Sequence, residues 1–251
     1  MSNELQVVTS YTTDFLNPDQ VQEFISKIPE LSIYHRDIYN RKPLSSESFQ
    51  LLIHTIYDGA LRAGEGRTIL VQDLENLRYG RLNLPHTKTG WDWCKCASHQ
   101  KKKLISCDLN CKKCKGTGKI LRPQWTTISE SLAKKLYKFI NQNKLGKKDH
   151  VFASPSFPKQ PISRDWLYKN IREVGTLCNI EIFGQRKSRL MKNLYSHIFR
   201  RSKAIQMDHD GASIGMIATK LRHTDIRVTT TYIKTGIGDL EKWEKEFGVS
   251  F

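Results

Sequence analysis

The stretch from Tyr195 to Tyr232 constrains this chain more than any other, because it spaces two histidines, an arginine and a tyrosine at intervals that helices can bring to one point. His197 and Arg200 are three residues apart, about one helical turn, and so share a face. Ile214, Ile217, Ala218 and Leu221 follow the i, i+3, i+4, i+7 pattern of a core-facing helix that ends beside His223. Thr224 or Asp225 can cap a third helix, in which Tyr232 lies nine residues after His223, far enough along to fold back toward the first. A phenol among imidazoles and a guanidinium suits attack on a phosphodiester: the tyrosine needs a base, and the phosphate needs its charge neutralised.

The charge balance points the same way. The 251 residues carry a formal net charge of +16, the electrostatic footprint of a protein that meets a polyanion. The excess is clustered, with seven Lys or Arg and no acid between Arg186 and Lys203. Arg186, Lys187 and Arg189 are therefore candidate nucleic-acid contacts. No apolar run approaches bilayer-spanning length, and the polar start MSNELQ lacks the apolar core of a signal peptide. A cytoplasmic chain with no membrane partner is expected.

Ahead of the opening stretch the patterning is α+β and mainly helical. Asn17, Pro18 and Gln20 read as a capped helix start, with Val21, Phe24, Ile25 and Ile28 as its apolar stripe and Pro29 just past its end. A second helix is expected from Ser45 to Ala60, with Phe49, Leu52, Ile53, Ile56 and Tyr57 on one face. Strand-like runs cover Thr68 to Val71, Leu77 to Leu84 and Ile120 to Ile128, followed by a helix that Thr127 and Glu130 would cap and that buries Leu132, Leu136, Phe139 and Ile140. Val151 to Ala153 reads as a further strand, Ser163 as the cap of a helix with Leu167, Ile171, Val174 and Cys178 as its core stripe, and Gly184 to Lys192 as a basic loop. Leu240, Trp243 and Phe247 make a short amphipathic tail.

Five of the six cysteines fall between Cys94 and Cys114, which in a reducing cytosol argues for a metal rather than disulfides. A Cys-x-Cys pair and a Cys-x-x-Cys pair, joined by a linker long enough to double back, fit a tetrahedral zinc site. Cys94, Cys96, Cys111 and Cys114 are the favoured ligands, with Cys107 the first substitute and His99 a further candidate. Gly116 and Gly118 permit the tight turns that aim backbone N–H groups at sulfur. Residues 94–119 also hold eight lysines against one acid, Asp108, so this segment forms a basic finger in which Lys101, Lys102 and Lys103 are candidate phosphate contacts.

His197-Ile-Phe-Arg200, Leu221-Arg222-His223 and Tyr232, in that order and spacing, resemble the C-terminal signature of the tyrosine recombinases, the phage-integrase family. Gly59-Ala-Leu-Arg62-Ala-Gly-Glu65 resembles the same family's first arginine motif, and Lys88 in His86-Thr-Lys88-Thr-Gly90 resembles its β-hairpin lysine. The sequence departs from the family at Arg222, where glycine is usual, and at Gly66, where a bulky residue is. The resemblance implies a mainly helical catalytic domain with a small antiparallel sheet over residues 43–251, interrupted by a cysteine-rich zinc insert at 91–120 and closed by the tail at 234–251. Residues 1–42 would be a short helical segment where full-length members carry an N-terminal clamp domain. It further implies a site-specific recombinase or integrase acting on double-stranded DNA through a 3′-phosphotyrosine, with Tyr232 as nucleophile, His197 as base, Arg62, Arg200 and His223 on the phosphate oxygens, Lys88 on the leaving oxygen and Glu65 in support. No catalytic metal is required, because side chains supply the cations. A homo-multimer on DNA and an accessory protein are the implied partners. A topoisomerase-like enzyme and a DNA-binding regulator with a vestigial site are the alternatives.

Overall fold

The computed structural model describes residues 15–34, 45–84, 91–100, 103–121, 124–180, 184–186, 189–191, 195–231 and 233. Among them lie eight α-helices and four two-stranded antiparallel ladders. No described helix is long and apolar enough to cross a membrane.

Helix α1 (Pro18–Tyr34) starts as its sequence dictates: Gln20 N–H donates to Asn17 Oδ1 at 2.8 Å, and Asn17 N–H donates to Gln20 Oε1 at 3.0 Å. It does not stop at Pro29. The missing proline N–H would have served the carbonyl of Ile25, and Gln50 Nε2 donates to that carbonyl instead at 2.9 Å. Gln50 belongs to helix α2 (Ser46–Asp58), capped by Ser45 and buried along Phe49, Leu52, Ile53 and Ile56. Helix α3 (Ala63–Arg67) follows within five residues and packs tightly on α2. A β-carbon at Gly66 would sit 2.6 Å from Ile56 Cγ1, so the glycine is there because the two helices leave no room for a side chain.

The expected strand at 68–71 reduces to one bridge between Leu70 and His150, followed by a 3₁₀ turn Val71–Leu74; a second 3₁₀ turn, Leu77–Tyr79, precedes strand β1 (Arg81–Leu84). Strand β1 pairs with β6 (Gln124–Thr127) in the register Arg81–Thr127 to Leu84–Gln124. Nested inside are β2 (Trp91–Trp93) on β5 (Lys119–Leu121) and β3 (Ser98–Gln100) on β4 (Lys103–Ser106). The insert thus holds two further antiparallel ladders nested in sequence between β1 and β6. Because Thr127 completes that ladder, the cap of helix α4 (Glu130–Gln142) moves to Ser129, whose hydroxyl accepts from Leu132 N–H.

The residues around Val151 make isolated bridges rather than a strand, Ala153 pairing with Pro161. Ser163 caps helix α5 (Arg164–Leu177) as expected, accepting from Trp166 N–H. The supposed basic loop contains a hairpin, β7 (Gly184–Arg186) on β8 (Arg189–Met191). Helix α6 (His197–His209) then runs through the main core, where Phe199 meets Phe24 edge-on at 5.1 Å and Ser202 Oγ accepts from Leu16 N–H at 2.7 Å. Helix α7 (Ile214–Leu221) buries Ile217, Ala218 and Leu221, whereas Ile214 at its start stays on the surface. Asp225, rather than Thr224, caps helix α8 (Ile226–Thr230). A small second cluster, Ala60, Ala204, Ile217 and Leu221, binds α6 and α7 to the turn after α2.

Candidate active site and cysteine cluster

Three segments distant in sequence meet around that second cluster. The first is the turn after α2. Ala60 takes a left-handed φ of 47°, which swings the chain so that Arg62 begins α3. Glu65, buried, holds Arg62 at two places: Oε2 accepts from the Arg62 main-chain N–H at 2.8 Å, and Oε1 accepts from Arg62 Nη1 at 2.7 Å. Burial alone would push the Glu65 carboxyl up, but Arg222 and Arg62 outweigh it and hold the group below the usual carboxylate range.

The second segment is the first turn of α6. Arg200 is fully buried, and its Nη1 donates to the carbonyl of Ala60 at 2.6 Å while Nη2 donates to the carbonyl of Leu221. One side chain therefore ties the end of α7 to the turn after α2. His197, half-buried, is pushed down to about 4 by burial first and then by Arg200 and Arg62.

The third segment is the end of α7. Arg222 closes the helix in a left-handed conformation, φ 54° and ψ 42°. Its N–H donates to Thr219 O and that of His223 to Ala218 O, both at 3.0 Å, the hydrogen-bond pair of a Schellman ending in which glycine is favoured. A β-carbon here costs roughly 1–2 kcal/mol. His223, half-buried, lies with Nδ1 3.0 Å from the hydroxyl of Thr229 and is pushed down to about 4 by burial, then by Arg200, Arg62 and His197. Because Arg62 and Arg200 act on both histidines, Arg62, Glu65, His197, Arg200 and His223 share one electrostatic neighbourhood. Both imidazoles are neutral at pH 7.

Lys88 and Tyr232 lie outside the described residues, as do Lys101, Lys102 and Lys187, the side chains of Lys103, Arg186, Arg189 and His99, and the tail residues Leu240, Trp243 and Phe247. The backbone beside position 232 is described: Thr231 caps α8, and Ile233 packs on the cluster of Ala60, Ala204, Ile217 and Leu221. Lys88 falls in the connection between β1 and β2.

Sequence patterning missed two cations of this region. Arg222 stood out only as an unusual residue before His223, and nothing local names its partner. Lys220 reaches the β1–β6 ladder, donating to Thr127 O at 2.6 Å, and no periodicity marks it.

In the insert the thiol sulfurs of Cys94, Cys96, Cys111 and Cys114 all lie within 4.8 Å of one another. Cys94 and Cys111 are 3.7 Å apart, Cys96 and Cys114 3.5 Å. A tetrahedron with metal–sulfur bonds of about 2.3 Å has edges of roughly 3.8 Å, so the four thiols fit a metal ion. Cys107 is a fifth sulfur beside them, 3.5 Å from Cys96 and 3.4 Å from Cys114. Gly116 and Gly118 make the turns at φ 77° and 69°, and Cys94 N–H donates to Gly118 O at 2.8 Å, closing the knuckle.

The model of the phage integrase family matches residues 14–236. No curated protein matches the sequence. Solved structures with the same fold include XerA recombinase, 13% identical, covering 96% of this chain and 67% of its own, with a TM-score of 0.62. The XerH site-specific recombinase bound to difH substrate is 14% identical, with 96% of this chain and 56% of that one covered and a TM-score of 0.57. The Tn1549 transposon integrase in complex with transposon right end DNA is 12% identical, with coverages of 94% and 66% and a TM-score of 0.56. The chain thus spans between about half and two thirds of the length of these proteins.

Proposed function

The chain belongs to the phage integrase family, and we propose that it is a site-specific DNA recombinase that cuts and rejoins duplex DNA through a 3′-phosphotyrosine. The observation that carries this reading is the convergence of Arg62, Glu65, His197, Arg200 and His223 from three separate segments onto one neighbourhood. Similarity to recombinases and integrases solved with DNA supports a duplex as the substrate.

In this reading the Tyr232 oxygen attacks the scissile phosphorus. The bond from phosphorus to the tyrosine oxygen forms, and the bond to the 5′-oxygen breaks. A neutral His197 takes the phenolic proton, its ring kept unprotonated at pH 7 by burial and the neighbouring arginines. Arg62 and Arg200 face the non-bridging oxygens as charge builds there, and His223 donates a further hydrogen bond. When the Thr229 hydroxyl donates to Nδ1, the His223 proton sits on Nε2, the nitrogen turned away from Thr229. Lys88 protonates the leaving 5′-oxygen. The phosphotyrosine conserves the bond energy, so the hydroxyl of another strand reverses the step, and exchange between two duplexes calls for several protomers on DNA. These side chains supply every cation the step needs.

A structural zinc ion on Cys94, Cys96, Cys111 and Cys114 completes the reading. Bound there, it would cross-link the two ends of the lysine-rich knuckle, which has little apolar surface of its own.

Trapping on a nicked duplex tests the function. Wild-type protein should become covalently attached, and Tyr232→Phe should bind the same DNA without attachment. Peptide mapping of the adduct should return Tyr232; attachment at Tyr195 or another tyrosine would overturn the assignment.

A further inference from the structure

The Arg222 guanidinium is engaged by protein groups on the side of the candidate site. Nη2 donates to Glu65 Oε2 at 2.8 Å, and both side chains are only 4% exposed. The same Nη2 donates to Ala60 O at 3.1 Å, while Nη1 donates to Lys220 O at 3.0 Å and Gly59 O at 3.4 Å. Glu65 Oε2 also accepts from Arg62 N–H, and Oε1 from Arg62 Nη1. The chain of contacts therefore runs from the end of α7, next to His223, through Arg222 and Glu65 to Arg62.

We propose that Arg222 is a positioning residue for DNA cleavage: it fixes the Glu65 carboxylate, and through it the Arg62 guanidinium, in register with His223. The proposal rests on the recombinase reading above. Three physical points carry it. A buried carboxylate that loses one of two cationic partners is left undercompensated, and its remaining contacts shift. A left-handed residue with a side chain carries backbone strain that its surroundings must offset, and here the side chain makes an ion pair and bonds to three carbonyls. Finally, of the two cations on Glu65, Arg62 keeps 26% side-chain exposure where Arg222 keeps 4%, so Arg62 is the open member of the pair and Arg222 the enclosed one.

The test measures the single-turnover rate of adduct formation on a nicked duplex for the full chain. Arg222→Gly keeps the left-handed backbone without its strain and removes the guanidinium. It should form adduct about 10- to 100-fold more slowly, the scale expected for a lost hydrogen bond to a charged group, with DNA affinity changed less than about threefold. In a Glu65→Gln background the same substitution should cost less than about threefold more, because the two residues act in series. The charged and titratable groups facing Glu65 are Arg62 at the N-cap of its own helix, Arg222 at the end of α7 and the neutral His197 on α6. The Arg222→Gly deficit should therefore grow as pH is lowered, as Glu65 loses a cation that keeps it ionised, and should not grow when residue 65 is Gln. A packing role alone would not move this profile. Should Arg222→Gly melt below the assay temperature, Arg222→Lys carries the test, with about a 10-fold loss in the wild-type background and none beyond that of Glu65→Gln in the other. A wild-type rate for Arg222→Gly, or independent losses that multiply with Glu65→Gln, would overturn the proposal alone. A wild-type chain that forms no adduct would overturn it together with the recombinase reading.

Discussion

His223 Nδ1 and the Thr229 hydroxyl lie 3.0 Å apart, so the histidine that follows α7 is held by a fully buried residue of α8. That contact keeps the ring half-buried among arginines, which makes its protonation unfavourable.

Acid should destabilise the fold well above the carboxylate range. His197 and His223 are pushed down to about 4 from an unfolded value near 6.5. Between those pH values the unfolded chain binds more protons, so stability is full above about pH 6.5 and falls as pH drops toward 4. Urea melts at pH 7 and pH 5 should differ clearly for wild type and less for a His197→Gln, His223→Gln double variant. Equal pH dependence in both proteins would show that neither histidine is depressed.

One zinc per chain is expected, bound by four thiols. Metal analysis of single Cys→Ser variants should find zinc lost from Cys94, Cys96, Cys111 and Cys114 and kept by Cys107→Ser. Chelation should lower the melting temperature of the wild type. Retention of zinc by Cys94→Ser with loss from Cys107→Ser would move the fifth sulfur into the ligand set.

Lys88 should be required for the leaving group. Lys88→Ala should cleave ordinary DNA poorly and recover on a duplex whose bridging 5′-oxygen is sulfur, which leaves without a proton. Arg62→Ala should show no comparable rescue, since charge on the non-bridging oxygens is a separate task. Equal defects on both substrates would transfer the role to a lysine of the insert, with Lys95 and Lys119 the first to try.

The insert should grip DNA through phosphates. Replacing Lys101, Lys102 and Lys103 with alanine should flatten the log–log dependence of affinity on salt by roughly 0.9 per lost contact. An unchanged slope with intact affinity would point the finger at a protein partner instead.

What the sequence determined by itself lies within one helical turn. The Asn17–Gln20 cap, the Ser163 cap and the i, i+3, i+4 stripes of α2, α4 and α5 were legible because their hydrogen bonds and faces span three or four residues. The cysteine knuckle was legible for the same reason, as its pairs lie close in sequence and its turns carry their own glycines.

What only the tertiary structure decided depends on partners far along the chain. Helix α1 passes through Pro29 because Gln50, 25 residues from Ile25, takes the orphaned carbonyl. Thr127 serves a strand instead of a cap because Arg81 pairs with it. Arg222 looked like a misfit where glycine is usual, until its guanidinium met Glu65, 157 residues away. A desolvated charge is tolerable only beside its counter-charge, and which carboxylate a guanidinium will reach is settled by how the helices pack, a quantity that no local pattern encodes.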